Sequence, residues 1–303
     1  MDPAPHTLVV IAGPTAVGKT SLSIQLARYF FTSVISADSR QFFREMSIGT
    51  AKPSASELAG VPHHFVGQLS VSDPYNVSMF EQDALALLDQ LFMENPVVIM
   101  TGGSGLYINA VCKGIDELPD PDGETREALK QLFEEKGIAA LREKLKALDP
   151  VYYQQVDADN PKRLLRAIEV CLATGMPYSS LRKNEPRQRN FRIIRIGLTM
   201  DKNELYERIN HRVDRMMDDG LLEEARQLYP LRNLNALNTV GYKELFRYFA
   251  GETTLEQAIT DIKTHSRRYA KRQMTWFRKD KEMVWFAARD NEGILAYIKG
   301  NSL

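Results

Sequence analysis

The stretch Gly13-Pro14-Thr15-Ala16-Val17-Gly18-Lys19-Thr20 fits the phosphate-loop pattern, in which a glycine and four further residues precede Gly-Lys-Thr. Residues 8–12 form an apolar, β-branched run that predicts a buried strand, and residues 21–31 have the apolar spacing of a helix. In that setting the glycines let the backbone close around an anion, and N–H groups at the helix start point towards it. The sequence therefore predicts a polyphosphate site.

Two side chains of this loop are expected to act on the ligand directly. Lys19 can reach a terminal phosphate, and the hydroxyl of Thr20 can hold Mg²⁺. The other loop residues predicted to bind phosphate are Gly13, Thr15, Ala16 and Gly18. The alternative is a glycine-rich turn without a ligand, which the agreement between the motif and its flanks disfavours.

Strand and helix patterns alternate from residue 8 to about residue 112. Residues 33–37 and 97–101 are further short apolar runs, and residues 78–93 have helical spacing. Such alternation is typical of a parallel sheet covered by helices, in which ligands bind at the carboxyl ends of the strands. Three polar clusters follow predicted strands, and we expect them to line one crevice. They are residues 13–20, 38–41 and 102–105.

The pattern changes after residue 112. Strand signals nearly vanish, residues 125–148 and 161–174 have helical spacing, and residues 191–198 alternate like a strand that returns to the sheet. We therefore predict a helical insertion domain at residues 114–189.

The predicted fold class is α/β, a P-loop NTPase-like parallel sheet flanked by helices. Residues 1–113 and 190–303 are assigned to this core, which the helical insertion interrupts.

Composition narrows the setting. The chain has 303 residues, and its 39 basic and 39 acidic residues cancel. Cys112 and Cys171 form no spaced cluster, which favours reduced thiols over a metal site or a disulfide. The sequence shows neither a signal peptide nor an apolar run of membrane-spanning length. We expect a cytoplasmic, monomeric protein without a membrane partner.

Charge is unevenly distributed despite the zero net value. Residues 160–195 contain nine basic and two acidic residues, and residues 262–279 contain seven basic residues and no acidic one. Segregation of this kind suits a surface that binds a polyanion such as a nucleic acid. Solvated helix faces explain it equally well.

Several polar residues are candidates for chemistry, each with a structural alternative. Asp38 at a strand end suits a metal ligand or a general base, or only a helix N-cap. Ser104 suits a donor to phosphate oxygen, or again an N-cap. Arg208 and Arg212, four residues apart on a predicted helix, share a face suited to a diphosphate. Salt bridges to nearby acids would account for the two arginines equally well.

Seven ordered blocks of the chain resemble the bacterial tRNA dimethylallyltransferase family, and together they span almost its whole length. The blocks are residues 13–20, Ser36-Ala37-Asp38-Ser39-Arg40-Gln41, Ile48-Gly49-Thr50-Ala51-Lys52-Pro53, Gly102-Gly103-Ser104-Gly105-Leu106-Tyr107, Asn160-Pro161-Lys162-Arg163-Leu164-Leu165-Arg166-Ala167-Ile168-Glu169, Val240-Gly241-Tyr242 and Tyr269-Ala270-Lys271-Arg272-Gln273-Met274-Thr275-Trp276.

The resemblance implies transfer of a dimethylallyl group from dimethylallyl diphosphate to the exocyclic amine of the adenosine 3′ of the anticodon, position 37, with release of diphosphate. It implies Asp38 as general base, with Ser104 and Arg212 also catalytic, and Arg208 on the diphosphate with Mg²⁺. The residues that it places on the anticodon stem-loop of tRNA are Asp38, Ser39, Arg40, Gln41, Lys162, Arg163, Leu164, Leu165 and Arg166.

Some features depart from the family pattern. Members often carry Thr at the position of Ser104, where the hydroxyl is retained, and many have an acid at the position of Met79. Three other functions remain open. A phosphate-loop kinase for a small metabolite or a prenyltransferase for free adenine nucleotides would have little use for the basic insertion. An NTP-driven RNA-binding switch should carry an Asn-Lys-x-Asp motif, and the sequence has none.

Overall fold

The computed structural model describes residues 6–58, 60–119, 121–183 and 185–302. Within them, six strands form one sheet in which every pairing is parallel. The strands are β1 Thr7–Ala12, β2 Val34–Ser36, β3 His63–His64, β4 Val97–Gly102, β5 Arg192–Thr199 and β6 Val284–Ala287. Their order across the sheet is β3-β2-β4-β1-β5-β6. The predicted α/β class with a parallel sheet is confirmed.

Helices surround the sheet and fill the insertion. They are α1 Lys19–Phe30, α2 Ala55–Leu58, α3 Val77–Glu94, α4 Gly105–Lys113, α5 Gly123–Leu148, α6 Pro150–Tyr153, α7 Pro161–Thr174, α8 Tyr178–Leu181, α9 Lys202–Asp218, α10 Leu221–Leu228, α11 Tyr242–Phe249, α12 Leu255–Phe277 and α13 Asn291–Ser302. The bounds of α7 coincide with the predicted helix, whereas α1 begins two residues earlier than predicted because the phosphate loop runs directly into it.

The sheet is the middle layer of three. Leu8 and Val10 of β1 pack on one face with apolar residues of α3 and α4, and Val9 and Ile11 pack on the other with α1, α9 and α13. Alternate residues of a strand point to opposite faces, so a strand covered on both sides is apolar throughout.

Coverage of both faces also explains why the burial of β5 differs from its sequence pattern. Its sequence alternates as though one face met solvent, yet Ile194 to Leu198 are buried in succession. Residues of α9 and α13 cover one face, and Met283 and Trp285 lie against Gly197 on the other. Arg195 is buried there and pairs with Asp280 at 2.6 Å.

A third core is built mainly by helices. Residues of α9, α10, α11 and α12 pack around Tyr242, Leu245 and Leu221, and Phe43 and Met46 from the segment after β2 join them. This cluster lies outside the sheet. Ile48, from the segment that lines the candidate site described below, packs against it.

The chain divides into two compact units, residues 1–112 with 188–303, and residues 113–187. The prediction had set the limits of the insertion at 114 and 189. The described part of the second unit is helical and has its own core, which includes Leu129, Leu141 and Leu164. Helix α5 is interrupted at Gly137, where φ of 68° breaks the helical path. No helix of the described ranges combines the length and apolarity needed to cross a membrane.

One tRNA-contact residue implied by the resemblance disagrees with the burial found in the insertion. Leu164 was included among residues that contact tRNA, but its side chain is fully buried in the core of this unit, because α7 turns that face inward. The basic stretch 160–195 is divided between the two compact units. Arg189 and Arg195 belong to the first unit, where both are nearly buried and paired with acids.

Candidate active site

The phosphate loop connects β1 to α1 at the carboxyl edge of the sheet. Gly18 caps α1 with φ of 110°, a backbone conformation that favours glycine and brings the first N–H groups of the helix to face the loop. The Lys19 ammonium folds back and donates to the carbonyl oxygens of Gly13 at 3.0 Å and Pro14 at 2.8 Å. These two hydrogen bonds hold the loop closed on itself.

Lys19 sits in an unusual electrostatic setting. Burial lowers the pKa of its ammonium to about 8; the Asp38 carboxylate works against that shift, and Arg212 adds to it. An anion that binds beside Lys19 would therefore favour the charged form of its ammonium.

A cavity of about 680 Å³ opens beside the loop, a size suited to a metabolite. Ala16, Gly18, Lys19 and Thr20 line one side. The other side is basic and comes from α9, which contributes Arg208, His211, Arg212 and Arg215. The acids Glu57 and Asp219 also border it. We call this space the larger cavity.

The arrangement on α9 agrees with the expected shared face of Arg208 and Arg212. Arg212 is partly buried, desolvation lowers the pKa of its guanidinium, and it donates to the Thr15 hydroxyl at 3.3 Å. Glu204, an acid near the start of the same helix, pairs with Arg289.

A second, smaller cavity adjoins the first. Asp38, Arg40, Thr15 and Tyr269 line it, together with residues 239–241 and apolar residues of α9 and α12. Arg212 and Met216 border both cavities. The two spaces therefore meet at Arg212, with the phosphate loop on one side and the Asp38 carboxylate on the other.

The turn after β2 is held by a network of hydrogen bonds. The Ser39 N–H donates to the Ser104 hydroxyl at 3.0 Å, and the two hydroxyls are 3.1 Å apart. The Arg40 N–H donates to Asp38 Oδ1 at 3.1 Å. This network brings the second and third predicted clusters together, as their positions at neighbouring strand ends required.

Two residues of this turn serve the scaffold. The Arg40 guanidinium donates to the carbonyl oxygens of Asn235 and Ala236. The Gln41 amide donates to the carbonyl oxygens of Thr50 and Ala51. The resemblance implies tRNA contact for both residues. The two bonds of Arg40 come from Nη1, and Arg40 also lines the smaller cavity.

Residues from the last third of the chain complete the site. Gln273 accepts a hydrogen bond from the Thr15 N–H at 2.8 Å and donates to the Gly103 carbonyl at 2.9 Å. Tyr269 lines the smaller cavity, where burial and the Asp38 charge raise the pKa of its phenol. Sequence reasoning gave neither a role, although both lie in a recognised block.

Two oxygen-bearing side chains near the loop, Thr20 and Asp38, are candidates to bind a cation. Within the described ranges, no three His, Cys, Asp or Glu side chains gather in a way that could hold a metal ion. Thr20 lines the larger cavity and Asp38 the smaller one. A cation here would need most of its ligands from a phosphorylated substrate and water, which is the usual habit of Mg²⁺.

Fold and site together define a P-loop-like α/β enzyme with a helical insertion. The family model described as IPP transferase matches residues 41–280. The chain belongs to the IPP transferase family and is a transferase.

Individual relatives agree over nearly full length. A tRNA dimethylallyltransferase 1 of Phocaeicola vulgatus is 53% identical over 294 residues, which cover 97% of this chain and 98% of the relative. A tRNA dimethylallyltransferase of Christiangramia forsetii is 55% identical over 293 residues, covering 96% and 97%.

Solved structures show the same fold. The tRNA isopentenylpyrophosphate transferase of Bacillus halodurans superposes with a TM-score of 0.72 at 38% identity, covering 98% of this chain and 97% of that one. A eukaryotic dimethylallyltransferase acting on tRNA superposes with a TM-score of 0.75 at 26% identity, covering 97% and 76%.

Proposed function

We propose that this enzyme transfers the dimethylallyl group of dimethylallyl diphosphate to the exocyclic amine of the adenosine 3′ of the anticodon in tRNA, releasing diphosphate. The observation that carries the proposal is the position of Arg212, which borders a basic cavity beside the phosphate loop and also a second cavity lined by the Asp38 carboxylate. Transfer of a group from a diphosphate to a weak nucleophile needs positive charge to stabilise the leaving diphosphate. It also needs a carboxylate to accept the proton that the nucleophile loses.

The diphosphate half of the reaction is assigned to the larger cavity. Lys19, Arg208 and Arg212 supply positive charge where negative charge grows on the leaving diphosphate, and the loop N–H groups add donors. Mg²⁺ would enter with the substrate and bind the Thr20 hydroxyl, and when bound it would stabilise charge on the phosphate oxygens.

The acceptor half is assigned to the smaller cavity. The amine nitrogen attacks the first carbon of the dimethylallyl group, a C–N bond forms, and the C–O bond to diphosphate breaks. Asp38 accepts the proton that the amine loses, as a general base within this cavity. Ser104 bonds to the Ser39 hydroxyl and backbone N–H and thereby keeps the Asp38 turn in place.

The acceptor nucleotide must leave its stack to reach the smaller cavity, as happens in other enzymes that modify bases. Exposed Lys162 and Arg163 at the start of α7 suit the phosphates of an anticodon stem-loop, and partly buried Leu165 and Arg166 lie beside them. We further propose that the protein is cytoplasmic and monomeric.

The test is a direct comparison of acceptors. Purified protein is incubated with Mg²⁺ and labelled dimethylallyl diphosphate, and with either tRNA, AMP or a panel of small ATP acceptors. Label should enter tRNA alone, and nuclease digestion should place it on the adenosine next to the anticodon. Label in AMP with none in tRNA would support the free-nucleotide prenyltransferase. Phosphate transfer from ATP to a metabolite would support the kinase.

A further inference from the structure

Residues 47–52, which lie between β2 and α2, border both cavities. Gly49 and Thr50 line the smaller cavity, whereas Ser47, Ile48 and Ala51 line the larger one. A displacement of this segment would therefore change both spaces at once. We call it the 47–52 segment.

One carboxylate holds the segment from outside the site. Glu224 of α10 accepts hydrogen bonds from three consecutive backbone N–H groups, those of Ser47 at 2.9 Å, Ile48 at 2.8 Å and Gly49 at 2.9 Å. The Tyr242 hydroxyl donates a fourth at 2.7 Å. Hydrogen bonds to a charged acceptor are stronger than neutral ones, and this carboxylate receives four.

The opposite edge of the segment is tied to the Asp38 turn. The Gln41 amide donates to the carbonyl oxygens of Thr50 and Ala51, both at 3.2 Å. The Gln41 N–H in turn donates to the Asp38 carbonyl at 3.0 Å. Glu224 therefore connects through the 47–52 segment to the residue that carries the proposed general base.

The packing around Glu224 is shaped for this contact. A Cβ on Gly49 would lie 2.6 Å from Cζ of Tyr242, so only glycine lets the segment approach so closely. Tyr242 is fully buried and belongs to the helical core. The hydrogen bond from Tyr242 to Glu224 therefore comes from a residue packed in the helical core.

We propose that Glu224 is a positioning residue for catalysis: by clamping the 47–52 segment, it fixes the spacing between the diphosphate in the larger cavity and the acceptor amine in the smaller one. The assignment of those two ligands rests on the proposed function. Glu224 itself lines neither cavity. Its removal should disturb alignment of the reactants more than binding of either.

The main test compares Glu224→Ala with Glu223→Ala, which removes an exposed glutamate of the same helix that pairs with Arg226. At saturating substrates, kcat of Glu224→Ala should fall about ten- to a hundredfold, since misplacement by about 1 Å can cost a hundredfold. The Kd for inorganic diphosphate, measured with Mg²⁺ by calorimetry, should change less than about threefold, because its proposed ligands lie on the phosphate loop and α9. The control should match the wild type.

Tyr242→Phe covers the case in which Glu224→Ala fails to fold. It keeps the ring in the core and removes one of the four hydrogen bonds, so kcat should fall a few-fold with the diphosphate Kd unchanged. A kcat within experimental error of the wild type in the folded variants would overturn the proposal. So would equal losses in kcat and in diphosphate affinity, which would indicate general damage.

A second readout separates this proposal from the proposed function. Amide hydrogen exchange in the peptide that contains residues 47–49 should be faster in Glu224→Ala than in Glu223→Ala, because three donors lose their acceptor. Unchanged exchange would refute the clamp. If the wild-type protein failed to prenylate tRNA while exchange still accelerated, the proposed function would fail and the clamp would stand as a structural finding.

Discussion

The side-chain oxygen of Gln273 accepts a hydrogen bond from the backbone N–H of Thr15, although 258 positions separate the two residues. The other end of the same buried amide donates to the Gly103 carbonyl. Helix α12 thereby fixes the distance between the phosphate loop and the loop after β4. A glutamine suits this place because it supplies one acceptor and one donor in a fixed geometry.

Replacement of Gln273 should therefore affect stability and activity together. In Gln273→Ala the Thr15 N–H and the Gly103 carbonyl lose their partner, which should lower the free energy of unfolding by about 1–3 kcal/mol. The kcat/KM for dimethylallyl diphosphate should fall at least about tenfold as the loop loosens. Urea unfolding and steady-state kinetics measure the two effects. Gln257→Ala, an exposed change on the same helix, should alter neither.

Asp38→Asn tests the general base with little change of shape. The asparagine oxygen can still accept from the Arg40 N–H, so the turn should persist. Single-turnover transfer to tRNA should slow by about 10²–10⁴, the usual contribution of a general base. The Kd for tRNA should stay close to that of the wild type. A variant that turns over at the wild-type rate would remove Asp38 from the chemistry.

The lowered pKa of Lys19 predicts a pH-dependent affinity for dimethylallyl diphosphate. The charged ammonium binds the anion, and the pKa of Lys19 is about 8, so the free protein loses this charge above that pH. Affinity should fall as pH rises from 8, by up to about tenfold per unit, until pH passes the higher pKa of the bound form. Calorimetry between pH 7 and 10 without tRNA measures this.

A control variant and a stability measurement complete the test of Lys19. Lys19→Arg keeps its charge throughout that range, so its affinity should show no such slope. The linkage has the opposite sign for folding. The cost of burying the charged ammonium is present below pH 8 and is relieved as pH rises towards the ordinary pKa of 10.5, so this residue should contribute a gain in stability over that interval.

Thr20→Ala should raise the Mg²⁺ concentration needed for half-maximal activity, because the hydroxyl is the proposed protein ligand in the larger cavity. Thr20→Ser retains the hydroxyl and should titrate like the wild type. Activity of the wild type should disappear with excess chelator and return with Mg²⁺. Superimposable Mg²⁺ titrations of the alanine and serine variants would exclude Thr20 as a ligand.

Lys162 and Arg163 provide the sharpest test of tRNA binding by the insertion. Both are exposed, whereas Arg166 donates to the Leu118 carbonyl and lies 3.9 Å from Glu169. The double change of Lys162 and Arg163 to Ala should weaken binding of an anticodon stem-loop. It should also lower the slope of log affinity against log salt by about 1.4–1.8.

The matched control for this pair is the replacement of Lys136 and Lys146 by Ala, which removes two charges from exposed positions on α5. Its slope should fall less than that of the α7 pair. If both pairs behave alike, the insertion attracts RNA through its overall charge, and α7 has no special contact.

Much of the site follows from local sequence. The phosphate loop, the helix after it and the polar strand ends are short-range patterns, because glycine conformation, helix capping and apolar period act within a few residues. Parallel strands then bring residues 13–20, 38–41 and 102–105 to one edge. The family motifs then implied catalytic and ligand-binding roles for individual residues.

Other features were decided only when distant segments met. Gln273 reaches the phosphate loop across most of the chain, and Glu224 finds its three N–H partners about 175 positions away. Neither contact leaves a periodic trace in the sequence, because a hydrogen bond between remote segments depends on where helices pack. Burial likewise set the pKa of Lys19, withdrew Leu164 into a core and turned Arg189 and Arg195 inward to acids. The sequence by itself determined which groups are present, and tertiary packing decided which of them face a ligand.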